Sequence, residues 1–329
     1  MKTTPQFPDE QTSDGSFVRQ ADTFDSWVTA DGRSGFPAAA GRYHLYVSLA
    51  CPWAHRTIVA RKLKRLENAI GMTVVDPIRD EKGWAFRSGE GYGSDPVNGF
   101  QYLSEAYTAT DPHYRGRVTV PVLWDKQTHR VVSNDDDHIL RMFETEFDEF
   151  GDASVELAPA GRLEEIDPLN AWLYRTLNNG VYRAGFATSQ AVYERAARTV
   201  FETLDALEER LETRRYLLGP QLLETDIRTF VTLIRFDAVY VGHFKCNLKR
   251  IADYRNLSGY VRDIYQYDEI GSTVNFDHIK RHYYMTHGDI NPTRIVPIGP
   301  LQDFTVPHGR ETIGAGDPAF DSRPSAFSS

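Results

Sequence analysis

"SLACPWAHRTIVARKL", residues 48–63, joins the end of an apolar run to the start of a basic, helix-patterned one, with a single cysteine at the join. Upstream, "GRYHLYVSLA" (41–50) alternates as a buried strand does. Downstream, "HRTIVARKLKRLE" (55–67) carries Ile58, Val59, Leu63 and Leu66 at helical spacing. The reading is strand, turn, helix, and Pro52 suits the first turn, where no backbone hydrogen bond is lost. Cys51 then stands where unpaired N–H groups and the positive end of the helix dipole favour thiolate over thiol. His55 and Arg56, in the same turn, add positive potential. The competing reading is a cysteine simply buried in a strand-to-helix turn. The motif is Cys-Pro-Trp-Ala, without a second cysteine alongside, so a disulfide formed at Cys51 has to be resolved by a thiol from outside.

Working outward, "MTVVDPI" (72–78), "VTVPVLWD" (118–125) and "HRVVSN" (129–134) read as further strands, and "DDDHILRMFETEF" (135–147) as a helix with acids in its first turn. An insertion rich in Gly and aromatic residues, 79–115, separates the second and third strands; loops of this length are usually functional. These elements form a mixed α/β domain over 41–150. Residues 1–40, rich in Asp, Ser, Gly and Pro, are an irregular lead-in, and 151–164 a linker. From 165 to 299 the pattern is helical: Val192, Ala196, Val200, Leu204, Leu207 and Leu211 form one apolar stripe, with further helices at 225–243, 257–267 and 277–285. The stretch 300–329 is a Gly-, Pro- and Ser-rich tail, an arm or disordered. The fold class is therefore an α/β domain followed by an all-α domain.

The chain has 329 residues, enough for two domains, and a formal net charge of -9 with 41% hydrophobic residues. That charge opposes binding to nucleic acid. The one basic cluster, "RKLKR" (61–65), reads as the solvated face of the helix after Cys51. No apolar run approaches the length that spans a bilayer, and the N-terminus lacks a secretory pattern, so a cytoplasmic location is expected. Cys51 and Cys246 suit reduced thiols better than a disulfide. Cys246, in "HFKCNLKR", reads as a core residue. His278, His282 and His287 lack the cysteine or carboxylate pattern of a strong metal site, and no metal is expected.

Five segments together carry a resemblance: "SLACPWAHRTIVARKL", "VTVPVLWDK", "LNNGVYRAGFATSQ", "LIRFDAVYVGHFKCN" and "VNFDHIKRHYYMTHGDINPTRIVPIGP". In this order they resemble the glutathionyl-hydroquinone reductases, the Xi class of glutathione transferases, from about residue 40 to 300. The resemblance implies a thioredoxin-like N-terminal domain, a helical glutathione-transferase C-terminal domain and a homodimer. It implies that Cys51 attacks the sulfur of a thioether between glutathione and a hydroquinone, leaving a mixed disulfide that a second thiol resolves. It implies a cis Pro121 facing Cys51, with Val120 offering its backbone to the thiol, and Trp84 and Arg117 near that thiol. Tyr182, Tyr240 and Tyr284 match the family's aromatic-substrate pocket. Their rings suit stacking on a quinol and their hydroxyls suit donation to a departing phenolate.

One stretch departs from the family. Where the family commonly has Glu-Ser-Ser opening a helix that grips the γ-glutamyl end of glutathione, this chain has Asp135, Asp136 and Asp137. Asp135 can replace the first acid. Asp136 replaces a serine and brings a second negative charge to the place of a carboxylate. Two expectations stand: helix N-terminal N–H groups still hold glutathione, or the co-substrate is another low-molecular-weight thiol such as mycothiol, whose hydroxyls suit carboxylate acceptors. Among rival functions are a general thiol-disulfide reductase, glutaredoxin-like or dehydroascorbate-reductase-like, and a non-catalytic binding protein of the same fold.

Overall fold

The apolar run before the cysteine forms β1 (Tyr43–Val47), every residue of it buried. A computed structural model describes residues 10–313 of the chain. β1 lies at the centre of a four-stranded sheet, parallel to β2 (Gly71–Val74) and antiparallel to β3 (Val122–Asp125), which pairs antiparallel with β4 (Arg130–Ser133). The register sets His44 against Gly71 on one side and against Trp124 on the other. β3 starts later than the alternation of 118–125 suggests, because Pro121 has no N–H to give to a ladder. This is the thioredoxin-like arrangement expected.

α1 (Pro52–Leu63) starts immediately after Cys51 with Pro52 in its first turn, three residues before the apolar spacing becomes visible. It is buried on nearly all sides, between the sheet, α3 (Asp136–Thr145) and α7 (Glu224–Arg235). The insertion is irregular apart from α2 (Ser104–Thr110). The basic cluster at the end of α1 is not a solvated face: Lys64 is buried and donates to Asp148 (2.8 Å) and the Val155 carbonyl (2.9 Å). Lys62 pairs with Glu269 and Arg65 with Asp268, each at 2.6 Å. The cluster thus ties the helix to two neighbouring loops, with Arg61 donating to the Ile70 and Glu67 carbonyls and the other three charges meeting carboxylates.

The stretch expected as a linker is packed: Leu157 and Ala158 are buried and their N–H groups donate to Glu144 at 2.7 and 3.1 Å. Beyond it stand α4 (Leu163–Leu173), α5 (Gly180–Gly185), α6 (Gln190–Arg210), α7, α8 (Arg255–Gln266) and α9 (Phe276–Thr286). A π-helical turn, Tyr174–Asn178, precedes α5, and another, Phe236–Tyr240, extends α7. π-turns are often found at functional sites, and these two lie beside Tyr182 and Tyr240, whose ring centroids are 6.2 Å apart.

The two ends of the described chain pack differently, the lead-in across both halves and the tail on the helical half alone. The lead-in crosses both domains: Gln11 Nε2 donates to the Phe186 carbonyl (3.0 Å) and Thr188 N–H to the Gly15 carbonyl (3.1 Å). Further on, Ser26 N–H donates to Val132 (3.0 Å) and Phe24 N–H to Asn134 Oδ1 (2.8 Å) beside β4. Within the tail, residues 300–313 form a docked arm. Phe304 stacks on Phe276 (5.6 Å between centroids), and the buried Arg310 donates to the Leu211 carbonyl at 2.9 Å. The remainder of the tail, 314–329, lies outside the described residues, as do residues 1–9.

Candidate active site

Cys51 is the residue before α1, and its backbone is extended, so its side chain leaves the helix end towards the loop before β3. Its thiol donates to the Val120 carbonyl over 3.6 Å, and the Val120–Pro121 peptide is cis. Burial pushes the thiol up from its ordinary value. Against that push act the Ala54 and Trp53 N–H groups and the guanidinium groups of Arg19 and Arg235. The helix N-terminus therefore pulls as the sequence implies, but burial outweighs it.

The expected cationic help from His55 and Arg56 does not reach the sulfur. His55 is held neutral by burial, its ring bonded to Thr273 Oγ1 (2.7 Å) and to Arg235 (3.0 Å). Arg56 is turned away to carboxylates described below. Arg235 comes instead from α7, also donating to the Ala50 (2.9 Å) and Leu49 (3.0 Å) carbonyls, so the helical domain positions the turn that carries the cysteine.

Cys51 opens on a chamber of about 50 Å³ lined by Trp53, Trp84, Val120, Tyr182, Tyr283 and the arginines 19, 79 and 117. Trp84 stacks on His282 (5.0 Å, 21°), which closes one wall. Arg117 is paired with Glu10 of the lead-in, its Nη1 2.8 Å from both carboxylate oxygens. The chamber's two tyrosine hydroxyls start a chain: Tyr182 and Tyr283 lie 2.5 Å apart, and Tyr240, buried behind the chamber wall, lies 3.2 Å from Tyr283. Burial pushes all three phenols up, so they are neutral hydrogen-bond donors. Gly185 permits this cluster, since a Cβ there would fall 2.2 Å from the Phe244 ring that packs on Tyr182.

Tyr284 is not part of the cluster. Its hydroxyl donates to the Ala238 carbonyl at 3.3 Å on the other side of α9, and Tyr283 holds the place expected for it. The helical phase carried this signal: Tyr283 falls four residues after the buried Ile279, Tyr284 four after Lys280. His278, His282 and His287, the spacing weighed for a metal, are each spoken for. His278 bonds the Glu90 carbonyl (2.8 Å), His282 the Pro77 carbonyl (2.8 Å) and His287 the His243 ring (3.0 Å).

A second, larger cleft of about 860 Å³ continues from the chamber past Trp53 to the start of α3. Asp135 caps that helix, accepting from the N–H groups of Asp137 (2.9 Å) and His138 (3.1 Å). Asp136 and Asp137 are not loose negative charges. Arg56 Nη1 donates to both, at 2.8 and 2.9 Å, and Arg228 pairs with Asp137 at 2.6 Å. Burial pushes the Asp136 carboxyl up, to about 7; for Asp137, Arg228 and Arg56 overcome burial and hold it at about 2. The repulsion inferred from three consecutive acids is thus largely met from inside the protein.

Several residues of the site escaped sequence reasoning. Arg19 lines both cavities, Glu10 holds Arg117, and Asp22 lines the cleft, all from the irregular lead-in. Arg79 lines the chamber from the insertion. None of these lies in a periodic segment.

Comparisons with known proteins agree with this layout. Residues 50–146 match the family model described as glutathione S-transferase, N-terminal domain, and residues 190–263 the one described as glutathione S-transferase, C-terminal domain. The chain is 53% identical over 310 residues to the glutathionyl-hydroquinone reductase YqjG of Escherichia coli, covering 92% of this chain and 94% of that protein. The glutathione-bound structure of YqjG superposes with a TM-score of 0.86 at 54% identity, over 88% of this chain and 96% of that one. A Xi-class glutathione transferase from Natrialba magadii superposes with a TM-score of 0.87 at 49% identity, over 92% and 96% of the two chains.

Proposed function

The chain belongs to the glutathionyl-hydroquinone reductases, the Xi class of glutathione transferases, and from that premise we propose that it cleaves thioether conjugates of hydroquinones through a mixed disulfide on Cys51. The observation that carries the reading is the cysteine at a helix N-terminus, facing the Val120 backbone and opening into a chamber that ends in a chain of tyrosine hydroxyls. The first part is chemistry for sulfur and the second for a phenol.

In the first step the Cys51 thiolate attacks the conjugate sulfur. A sulfur–sulfur bond forms, the carbon–sulfur bond breaks, and its electron pair passes to the ring carbon, which takes a proton and becomes free hydroquinone. The Tyr182–Tyr283–Tyr240 chain suits donation to the ring oxygens and supply of that proton. In the second step an external thiolate attacks the thiol-derived sulfur, releasing Cys51 as thiolate and leaving a thiol disulfide. The ring is reduced and two thiols are oxidised, so the electrons balance without a further reductant.

The thiol portion would lie along Val120, Pro121, Trp84 and Arg117, with its far end in the cleft at Asp135 and Asp136. The co-substrate is glutathione or another low-molecular-weight thiol such as mycothiol. Pairing of Asp136 and Asp137 with Arg56 and Arg228 removes much of the electrostatic objection to a carboxylate in the cleft, which favours glutathione. The exposed apolar side chains of Ile295, Ile298 and Leu301 support a homodimer. Among the described residues no helix is long and apolar enough to cross a membrane, and two free cysteines suit a reducing compartment, the cytoplasm.

Intact-protein mass after incubation with a glutathionyl hydroquinone, and separately with its mycothiol counterpart, tests the reading. The expected result is an adduct of one thiol and free hydroquinone, absent in Cys51→Ser. No adduct from either conjugate would overturn it. A general thiol-disulfide reductase would give the adduct from mixed disulfides alone, and would be indifferent to Tyr182→Phe and Tyr283→Phe.

A further inference from the structure

Arg19 stands at the junction of the two cavities, lining both the chamber of Cys51 and the cleft of Asp135–Asp137. Its guanidinium carbon lies 4.6 Å from the ring centroid of Trp53, two residues beyond the cysteine. Arg56 covers the same ring at 4.7 Å, but its charge is committed to Asp136 and Asp137. The segment that carries Arg19 is pinned on both sides: before it, to the helical domain through Gln11 and Gly15 and to the loop before β3 through Glu10, and after it, to the sheet through Phe24 and Ser26. A loop clamped at both ends by backbone hydrogen bonds places a long side chain far more narrowly than a free terminus would.

We propose that Arg19 is the lead-in's contribution to the reactive centre, supplying positive charge that stabilises the Cys51 thiolate against the cost of burial, before attack and again when the second thiol releases it. This rests on Cys51 being the reacting thiol.

Among the other groups facing that sulfur, Arg235 from α7 is fixed in the domain interface and Arg117 is tied to Glu10. Arg79 from the insertion is held down, to about 10, by burial and by Arg117. Tyr182 from α5 and Tyr283 from α9 are held neutral, and burial holds His282 and the following His287 neutral too. Asp22 and Tyr174, with Tyr182, are the groups that act on Arg19 itself. Between pH 5 and 9 Arg19 and Arg79 both stay charged beside the thiol, and of the two only Arg19 also covers the Trp53 ring and lines the cleft.

The test is the rate of Cys51 alkylation by iodoacetamide and by iodoacetate from pH 5 to 10, in a Cys246→Ser background, with and without Arg19→Gln and Arg19→Lys. In Arg19→Gln the midpoint is expected to rise by about 0.5–1 pH unit, and the rate at pH 7 to fall about 3- to 10-fold. The iodoacetate-to-iodoacetamide ratio should also fall, because the anionic reagent loses its attracting charge. Arg19→Lys should restore most of each. An Arg19→Gln profile that superimposes on the parent's, or a slower rate with an unmoved midpoint and ratio, would overturn the inference. Hydroquinone turnover is not read, so the outcome is independent of whether the conjugate is the substrate.

Discussion

Two cysteines, each buried and each with its thiol pushed up by burial, sit in very different company. Cys246 is wholly enclosed, its sulfur 3.9 Å from the Phe244 carbonyl, and burial pushes it up to about 12 with Lys245 as the opposing charge. Cys51 is 9% exposed, opens on a chamber, and meets two helix N–H groups and two guanidinium groups that oppose burial. Burial alone makes a thiol inert. Reactivity follows from what is arranged against it: an empty volume for a second sulfur and fixed positive charge at its rim.

The comparison breaks most sharply under serine substitution. Cys51→Ser is expected to lower turnover of a glutathionyl hydroquinone by at least about a thousandfold, since the hydroxyl cannot form the mixed disulfide. Cys246→Ser should stay within about twofold in turnover and cost about 1–2 kcal/mol in denaturant unfolding, from a hydroxyl placed among apolar groups. Equal losses in the two variants would erase the distinction.

The cations around the site divide in the same way, into those that hold the fold and those that face the sulfur. Arg56→Ala leaves Asp136 buried without its partner, and a loss of about 3 kcal/mol in unfolding free energy is expected. The pH midpoint of Cys51 alkylation should stay put. A shifted midpoint would move Arg56 into the second group.

The aromatic end offers a finer contrast between neighbours. Tyr283→Phe removes the middle of the hydroxyl chain and should lower kcat about 10- to 100-fold, while Tyr284→Phe, one residue on, should stay within about twofold. A reversal would restore the tyrosine that the motif match first selected.

The smallest effect is global. Burial holds His282 and His243 down at about 3, and His55 and His287 lower than an ordinary histidine. Below an ordinary histidine value of about 6.5 the unfolded chain takes up protons that the fold refuses, so stability falls as pH drops from there. Asp136 and Asp22, pushed up to about 7 and about 6 by burial, work the other way, since the fold binds their protons more readily as pH falls. The histidines outweigh them, and thermal melts should show a transition about 5 °C lower at pH 5 than at pH 7.5. A higher transition at pH 5 would mean that the carboxyls dominate.

Periodic signals made much of this legible beforehand. The strand, turn and helix around Cys51 announce themselves by alternation, helical spacing and a proline, and the stripe of α6 emerges where it was read. Tyr283 was within reach of the same reasoning, had the phase of α9 been applied to the pair of tyrosines. The pairing of Arg56 with Asp136, 80 positions apart, was not, because a helix reports which side chains share a face and nothing about what another element brings to meet them. Glu10, Asp22 and Arg19 lay deeper still. A segment without repeat in its hydropathy gives no clue to its path, and theirs becomes visible only when the walls they touch are present.

That path has a consequence for the order in which the protein is made. Cys51, the Val120 loop and the acids of α3 all leave the ribosome within the first 137 residues, and the sheet can assemble from them. The lead-in cannot close until residues 186–189, to which Gln11 and Gly15 are fastened, have also emerged. A nascent chain therefore carries its thiol beside an unfinished wall for as long as the helical half is still being synthesised.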